Sequence, residues 1–233
     1  MGCGFGGHAV HDNQLVLKMG GVRVKTLLLL GATGMVGQHV LRLALADTRV
    51  ACVIAPTRRA LPVHARLVNP VVDFDHLPPD ADWWKADAVV CALGTTMAKA
   101  GSKEAFRSID LELPLQVARL SMRHGATSYA LNSALGADAA SGVFYSRTKG
   151  ELEQALRAMK FPSLTLIRPG LLDGHRQESR PAERVAIRVS KAFGPLLPRR
   201  YRVVPAQRVA QHLLESALAG ESGVKVVQSE QLL

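Results

Sequence analysis

A run of four leucines leads directly into a loop that carries a glycine at every third position. The run Leu27–Leu30 has the unbroken apolar character of a parallel strand that is buried on both faces. In the loop, Gly31 can make a tight turn, Gly34 lets a phosphate approach the backbone, and Gly37 lets the next helix pack against the strand. A strand, this loop and a helix in that order predict a dinucleotide site at the helix N-terminus. The predicted contacts are Gly31, Thr33, Gly34, Met35, Val36 and Gly37; the alternative is a turn that binds nothing.

Short aliphatic and β-branched runs alternate with amphipathic segments along the rest of the chain. This alternation predicts right-handed βαβ crossovers and a parallel sheet. We therefore predict an α/β fold of the Rossmann type, which is a doubly wound parallel sheet with helices on both faces and a small C-terminal cap. The predicted strands are Val24–Leu30, Val50–Ala55, Arg66–Val72 (interrupted near Pro70), Ala88–Leu93, Ser128–Asn132, Leu164–Arg168, Tyr201–Val204 and Val224–Val227. The predicted helices are Met35–Ala46, Ser108–Arg123, Phe144–Met159, Ala182–Phe193 and Ala206–Ala219.

The chain has 233 residues, which is within the range of a single domain. Its start shows no strand or helix period, so we predict a disordered extension over residues 1–22 and one domain over residues 23–233. That domain includes a small substrate cap over about residues 171–204, and the last predicted helix and strand are taken to belong to the same C-terminal cap. We expect no membrane span, because no apolar run approaches the roughly 20 residues that one requires.

The cysteines Cys3, Cys52 and Cys91 are odd in number and far apart in the sequence. This spacing predicts neither a disulfide framework nor a metal site. Because reduced cysteines are typical of the cytosol, the sequence predicts a cytoplasmic location.

Lys and Arg outnumber Asp and Glu by 29 to 19, which gives a net charge of +10. We expect no nucleic-acid partner, because the basic residues are not interleaved with aromatic ones and no helix-turn-helix or zinc spacing is present. The basic region 176–208 is either a solvated face or a site for an anionic substrate or an acidic surface. Five of its cations are spaced near four residues apart, as on one helix face: Arg176, Arg180, Arg184, Arg188 and Lys191.

Two arginines follow the second predicted strand, at the position where a dinucleotide-binding fold distinguishes NAD from NADP. An acidic residue there would bind the ribose 2′-hydroxyl of NAD, but the chain has Arg58 and Arg59 instead. A guanidinium binds phosphate through two parallel hydrogen bonds, so this pair predicts the 2′-phosphate of NADP. The alternative is that both arginines only face solvent.

A tyrosine and a lysine, Tyr145 and Lys149, stand four residues apart at the start of the predicted helix after the fifth strand. At this spacing they share one helix face. A nearby ammonium stabilises a phenolate and so lowers the pKa of a tyrosine, which can then exchange a proton with a carbonyl or carbinol oxygen. Ser133 ends the preceding strand, twelve residues before the tyrosine, and can donate a hydrogen bond to the same oxygen. Ser141 competes for that role, and either serine can instead cap a turn.

These residues together resemble the short-chain dehydrogenase/reductase superfamily. The resemblance rests on the three-glycine loop, on Ser133 and on the Tyr145–Lys149 pair, and the stretch 168–170 is similar to its extended and atypical branches. The segments 93–101, 135–138 and 149–153, together with Ile109 and Asp110, resemble the Tat-interacting-protein-like oxidoreductase branch.

The resemblance implies a role for each matching position. The catalytic residues would be Ser133, which polarises the substrate carbonyl, Tyr145, the general acid and base, and Lys149, which holds the nicotinamide ribose. Two positions depart from the pattern. Asp110 stands about where many members have an asparagine that assists a proton relay, and Arg208 stands where extended members often carry an aspartate. Further cofactor contacts would be Asp73 and Phe74 at the adenine, Leu93, Gly94 and Thr95 at a ribose, and Pro169 and Gly170 beside the nicotinamide.

The predicted function is that of an NADP-dependent oxidoreductase, which transfers a hydride between NADPH and a carbonyl or alcohol substrate. The substrate is expected to be a small molecule, and the basic residues are compatible with an anionic one. The main alternative is a regulatory protein or sensor that binds NADPH with little or no turnover. A nucleotide-sugar epimerase ranks lower, because few residues follow the sixth predicted strand. We expect a monomer or a homodimer.

Overall fold

A computed structural model describes residues 18–19, 22–173 and 198–233. Within these ranges the strands are β1 Lys18–Met19, β2 Val22–Arg23, β3 Lys25–Leu30, β4 Val50–Ile54, β5 Leu67–Val68, β6 Ala88–Cys91, β7 Ser128–Asn132, β8 Ser163–Arg168, β9 Leu172–Asp173, β10 Val204–Pro205 and β11 Gly223–Gln228. The α-helices are α1 Gly37–Ala46, α2 Met97–Ala100, α3 Lys103–Arg107, α4 Leu113–Arg123, α5 Phe144–Ala158 and α6 Ala206–Ala219. A π-helical segment, Ser108–Glu112, joins α3 to α4, and short 3₁₀ turns cover Asp82–Trp84, Arg199–Tyr201 and Ser229–Leu232.

Seven parallel strands form one sheet in the order β11, β8, β7, β6, β3, β4, β5. The strand order reverses between β3 and β6, which pair directly. Ligands of doubly wound sheets bind at such a switch point, beyond the carboxyl ends of the strands. This topology confirms the predicted Rossmann-type fold and places the glycine loop after β3 and the loop after β6 side by side.

The four leucines of β3 are buried on both faces of the sheet, which explains why they form an unbroken apolar run. Leu27 and Leu29 point to the face covered by α1 and α6, and Leu28 and Leu30 point to the face covered by α4 and α5. All four side chains are fully buried. Burial on this scale contributes about 1.5–3 kcal/mol per side chain, so β3 anchors both cores.

The last strand was assigned to the cap from the sequence, and this assignment is wrong. β11 pairs in parallel with β8 along its whole length and forms the edge of the main sheet. Helix α6 connects to it and packs on the same sheet face as α1. The end of the chain is therefore a regular αβ unit of the Rossmann sheet, in which helix α6 leads into the parallel edge strand β11.

Two predicted strands are shorter in the structure than the sequence suggests. The predicted strand Arg66–Val72 is reduced to β5 and a single bridge between Thr57 and Val71, since Pro70 cannot donate to the ladder.

The predicted strand Tyr201–Val204 is wrong in its first residues, where Arg202 donates its N–H to the carbonyl of Arg199 and closes a 3₁₀ turn. Only Val204 and Pro205 pair, with β9.

The long helix after β6 begins earlier than predicted and changes its pitch midway. It starts at Lys103, where the Ser102 hydroxyl accepts the N–H of Ala105 and caps the first turn. The π-helical segment Ser108–Glu112 lies just before Pro114. A proline has no N–H for the carbonyl four residues earlier, and its ring crowds that carbonyl, so the helix widens at this point.

Parts of the predicted organisation fall outside the described residues. The predicted helix Ala182–Phe193, the basic row 176–191 and most of the predicted cap lie there. The end of the predicted N-terminal extension forms the short antiparallel pair of β1 and β2. In the described ranges, no helix combines the length and the apolar character needed to cross a membrane.

Candidate active site at the switch point of the sheet

The glycine loop is shaped by close backbone contacts that leave no room for side chains. Gly31 has a φ of +83°, and a Cβ there would lie 2.8 Å from the backbone of Ala92 and Leu93. A Cβ on Gly37 would lie 2.0 Å from the carbonyl oxygen of Gly31. Thr33 and Gly34 form the exposed part of the loop, and the first turn of α1 has no side-chain cap. A loop whose glycines let the backbone approach a ligand, at a helix N-terminus without a side-chain cap, fits the phosphates of a dinucleotide.

The two predicted 2′-phosphate contacts lie on a fixed loop after β4. Arg58 and Arg59 are both exposed, and neither has an ion-pair partner in the described parts of the chain. The loop is held by Asn69, whose amide donates to the Ala55 carbonyl at 2.6 Å and to the Thr57 hydroxyl at 2.8 Å. The Thr57 hydroxyl in turn donates to the carbonyl of Arg59 at 2.7 Å. The structure therefore presents two free guanidinium groups on an ordered turn.

The predicted adenine contacts follow β5 on the same edge. Asp73 is exposed and lies 2.9 Å from the Nδ1 atom of His76. This hydrogen bond lowers the pKa of Asp73 and raises the pKa of His76. Phe74 is half-buried and packs against the core on the α4–α5 side.

Three residues of α5 form one row that runs from the surface into the interior. Tyr145, Lys149 and Glu153 stand at intervals of four residues, so they share one face of the helix. Their exposed fractions fall from 37% through 4% to 2%. The row therefore presents one accessible tyrosine, with two buried charged groups behind it.

Lys149, the middle residue of this row, forms a buried ion pair with Asp110. The Nζ atom lies 2.7 Å from Oδ1 of Asp110, whose other oxygen accepts the backbone N–H of Thr95 at 2.8 Å. Burial lowers the pKa of Lys149, but the charges of Asp110 and Tyr145 outweigh it, and the net pKa is raised. Lys149 is therefore a charged ammonium beside the loop 93–95 that was predicted to contact the cofactor ribose.

Ser133, the predicted carbonyl donor, is engaged with the innermost residue of the row. Its hydroxyl donates to Oε1 of Glu153 at 2.6 Å, and both side chains are buried. The guanidinium of Arg168 binds the two oxygens of Glu153 at 2.9 and 2.5 Å. A hydroxyl has one proton, so Ser133 can donate to a substrate only if it releases Glu153. Ser141, the competing candidate, accepts the N–H of Val143 at 3.2 Å and keeps its own proton available.

The remaining predicted cofactor contacts, Pro169 and Gly170, follow β8 on the same sheet edge. The Pro169 carbonyl accepts the N–H of Leu135 at 2.9 Å, which ties it to the loop after β7. The N–H of Gly170 donates to the Ser229 hydroxyl at 3.0 Å. These bonds fix the backbone of both residues beyond the carboxyl end of β8.

An aromatic cluster with two cations surrounds the accessible end of the row. The buried ring of Phe106 lies 5.7 Å from the ring of Tyr145 and 5.7 Å from that of Phe144, centre to centre. Over the Phe144 ring lie the ammonium of Lys103, at 5.5 Å, and the guanidinium of Arg147, at 5.9 Å. Phe106 thus supports the tyrosine ring, and positive charge lies over the neighbouring Phe144 ring.

Several residues of the site were missed from the sequence. Glu153 stands at the same four-residue spacing beyond Lys149, and that period was a usable signal. Asp110 was noticed only as a departure from a family pattern, and its contact with Lys149 was not foreseen. Lys103 and Phe106 carried no signal, because no periodic pattern extends the predicted helix before Ser108.

The seven-stranded sheet, the glycine loop and the Tyr–Lys pair on α5 define a Rossmann protein of the short-chain dehydrogenase/reductase class. Protein HTATIP2 from Rattus norvegicus is 34% identical over 207 residues, which are 85% of this chain and 84% of that protein. Protein fmp52, mitochondrial, from Emericella nidulans is 36% identical over 175 residues, which are 71% and 75%. The chain belongs to the family of HTATIP2 and fmp52, an atypical branch of this class.

Other comparisons agree with the fold and correct one prediction. No protein-family model matches the chain. The UDP-Glc/GlcNAc 4-epimerase from Campylobacter jejuni has a TM-score of 0.65 at 12% identity, over 89% of this chain and 81% of that one. MoeE5 in complex with UDP-glucose and NAD has a TM-score of 0.65 at 18% identity, over 86% and 74%. Such low identities show a shared fold alone. The predicted cytoplasmic location is contradicted, because several fmp52 relatives are named as mitochondrial proteins.

Proposed function

We propose that this protein is an NADP-dependent oxidoreductase that interconverts a carbonyl and an alcohol. The observation that carries the proposal is the row on α5, which places an exposed tyrosine one helical turn from a buried, charged lysine. That row lies beside the loop after β6, and this loop is next to the glycine loop. A sensor that only binds NADPH has no need for a paired tyrosine and lysine at this edge.

The chemistry divides between the cofactor and the chain. NADPH, when bound, supplies a hydride. Tyr145 gives the proton that the carbonyl oxygen needs, and the Lys149 ammonium stabilises the phenolate that remains. In the reverse direction, the phenolate takes the proton of the alcohol. The loops with Gly34, Thr95 and Gly170 would hold the cofactor.

The preference for NADP rests on Arg58 and Arg59, which are exposed and unpaired among the described residues. We expect the double substitution Arg58→Ala/Arg59→Ala to weaken NADPH binding by about tenfold to hundredfold, the size of one lost charge-assisted hydrogen bond. NADH binding should remain unchanged, because NADH lacks the 2′-phosphate. The measurement is a fluorescence titration with each cofactor.

The matched control for this test is Arg123→Ala, which removes an exposed arginine of α4 that pairs with Asp80. It should leave both dissociation constants unchanged. Equal weakening of NADPH and NADH by the double variant would contradict the 2′-phosphate assignment. If the unaltered protein bound neither cofactor, the oxidoreductase proposal would fall.

We further propose that the substrate carries a negative charge. The support is the pair of cations over Phe144, whose ring packs against Phe106 as the Tyr145 ring does. We expect Lys103→Ala to raise KM for carboxylate-bearing carbonyls by about two- to fivefold, as for an exposed charge pair, and to leave neutral carbonyls unaffected. A kinetic screen of both carbonyl sets with NADPH measures this. Lys85→Ala, another exposed lysine, is the control; an equal KM change for both sets would contradict the proposal.

A further inference from the structure

One carboxylate, that of Asp110, joins two parts of the site. Its side chain is fully buried. Oδ1 lies 2.7 Å from the Lys149 ammonium, and Oδ2 accepts the N–H of Thr95 at 2.8 Å. The same group therefore connects the catalytic helix α5 to the loop after β6.

Two backbone features surround the Asp110 carboxylate. Asp110 lies in the middle of the widened π-helical segment that Pro114 imposes. A Cβ on Gly94 would lie 3.4 Å from Oδ1 of Asp110 and 3.7 Å from Nζ of Lys149, which are ordinary contact distances, so the loop after β6 packs directly against the pair. The wide helical turn and this loop therefore meet at one buried ion pair.

The charge of Lys149 depends on this partner. Burial acts against the ammonium, and the titratable groups that act on it are Asp110, Tyr145 of its own helix and Cys91 of β6. Burial raises the pKa of the Cys91 thiol, which stays neutral near pH 7. Asp110 is the group in direct contact with Lys149, so it is the main counter-charge.

We propose that Asp110 is a positioning residue that keeps Lys149 charged and fastens it to the loop that contacts the cofactor. The effect of Asp110 on cofactor binding rests on the proposed function. Its electrostatic effect on Lys149 does not require a cofactor. Asp110 touches no reacting atom in this scheme and acts through Lys149.

The test is Asp110→Asn, which preserves size and an acceptor for Thr95 but removes the charge. Without Asp110, Lys149 loses its main counter-charge, only Tyr145 and Cys91 still act against burial, and the pKa of Lys149 falls. We expect the ratio of NADPH dissociation constants, variant over unaltered protein, to grow about tenfold from pH 6 to pH 9 as the lysine loses its proton. A high, constant ratio supports the proposal only if the unfolding equilibrium of the variant, relative to the unaltered protein, depends on pH, as for a lysine already discharged at pH 6, and otherwise overturns it. A ratio near one at all pH values overturns the proposal.

Urea unfolding of the cofactor-free protein gives an independent readout. In the unaltered protein the raised pKa of Lys149 means that its stabilisation is complete below about pH 10.5 and is lost only above that pH. In Asp110→Asn the unfolded chain binds the proton more tightly. The folding equilibrium of the variant, relative to the unaltered protein, should therefore improve with pH, by up to about tenfold per unit, until pH 10.5.

The control is the same substitution made in a Lys149→Met background, where this relative pH dependence should disappear. Parallel stability curves for Asp110→Asn and the unaltered protein would overturn the proposal, because a merely structural loss is the same at every pH. The outcomes are distinguishable from failure of the proposed function. Absence of NADPH binding in the unaltered protein removes the function, and the unfolding curves still decide the role of Asp110.

Discussion

The substitution Tyr145→Phe should reduce turnover of NADPH with a carbonyl substrate by about 10²- to 10⁴-fold. The phenyl ring keeps the contact with Phe106, 5.7 Å from centre to centre, so the helix start should remain in place. The hydroxyl that delivers the proton is lost, and Lys149 behind it has no phenolate to stabilise. The dissociation constant of NADPH should stay within about threefold, since the substitution removes at most one neutral hydrogen bond at an accessible position. The loss of absorbance at 340 nm and a cofactor titration measure the two quantities.

Each result of this experiment separates two interpretations of the site. A variant that keeps more than a tenth of the activity would show that another group delivers the proton. A protein that binds NADPH tightly, yet turns over no carbonyl before or after substitution, would be the sensor that the sequence left open. Retained binding with lost turnover supports the assignment of Tyr145.

Most of the sheet could be predicted because its strands and the glycine loop are specified by residues that are close together in the sequence. The leucines of β3 follow one another without a polar residue, and the structure shows why: alternate side chains enter two different cores. The glycine loop was equally readable, since Gly31 and Gly37 are required by contacts with neighbouring backbone. Such constraints act within a few residues and therefore leave a pattern in the sequence.

The partners within the site could not be predicted, because they depend on tertiary distances. The sequence pairs Tyr145 with Lys149 by helical spacing, but it does not reveal that Asp110 faces the same lysine across a π-helical turn. Pro114 lies inside the helix predicted over Ser108–Arg123, and its effect on side-chain direction follows only from the packed structure. The same applies to Ser133, whose position at a strand end was correct but whose hydrogen bond to Glu153 was not foreseen.

The ends of the predicted elements failed for a different reason. β5 and β10 are short peripheral pairings that depend on whichever backbone lies beside them. Prolines at positions 70 and 205 limit how far these ladders can extend. Hydrophobic runs alone overestimate such strands, since the runs do not report whether a partner is present.

The largest expected effect on stability belongs to Glu153→Ala. Both oxygens of this buried carboxylate bind Arg168, and Oε1 also accepts the Ser133 hydroxyl. Removing one partner of a buried ion pair leaves the other charge uncompensated, which costs about 3–5 kcal/mol in measured cases. The Arg168 side chain is 23% exposed and can regain some water, so we expect a loss of about 3 kcal/mol in the free energy of unfolding. Urea denaturation at neutral pH measures it.

A matched control lies two residues earlier on the same helix. Glu151 pairs with Arg107 at 2.5 Å, but these side chains are 31% and 39% exposed, respectively. Water can replace either partner there, so Glu151→Ala should cost less than about 1 kcal/mol. Losses below about 1 kcal/mol for both variants would mean that burial does not strengthen the Glu153 pair. Ser133 would then be held to Glu153 only weakly, and its proton could turn to a substrate carbonyl at little cost.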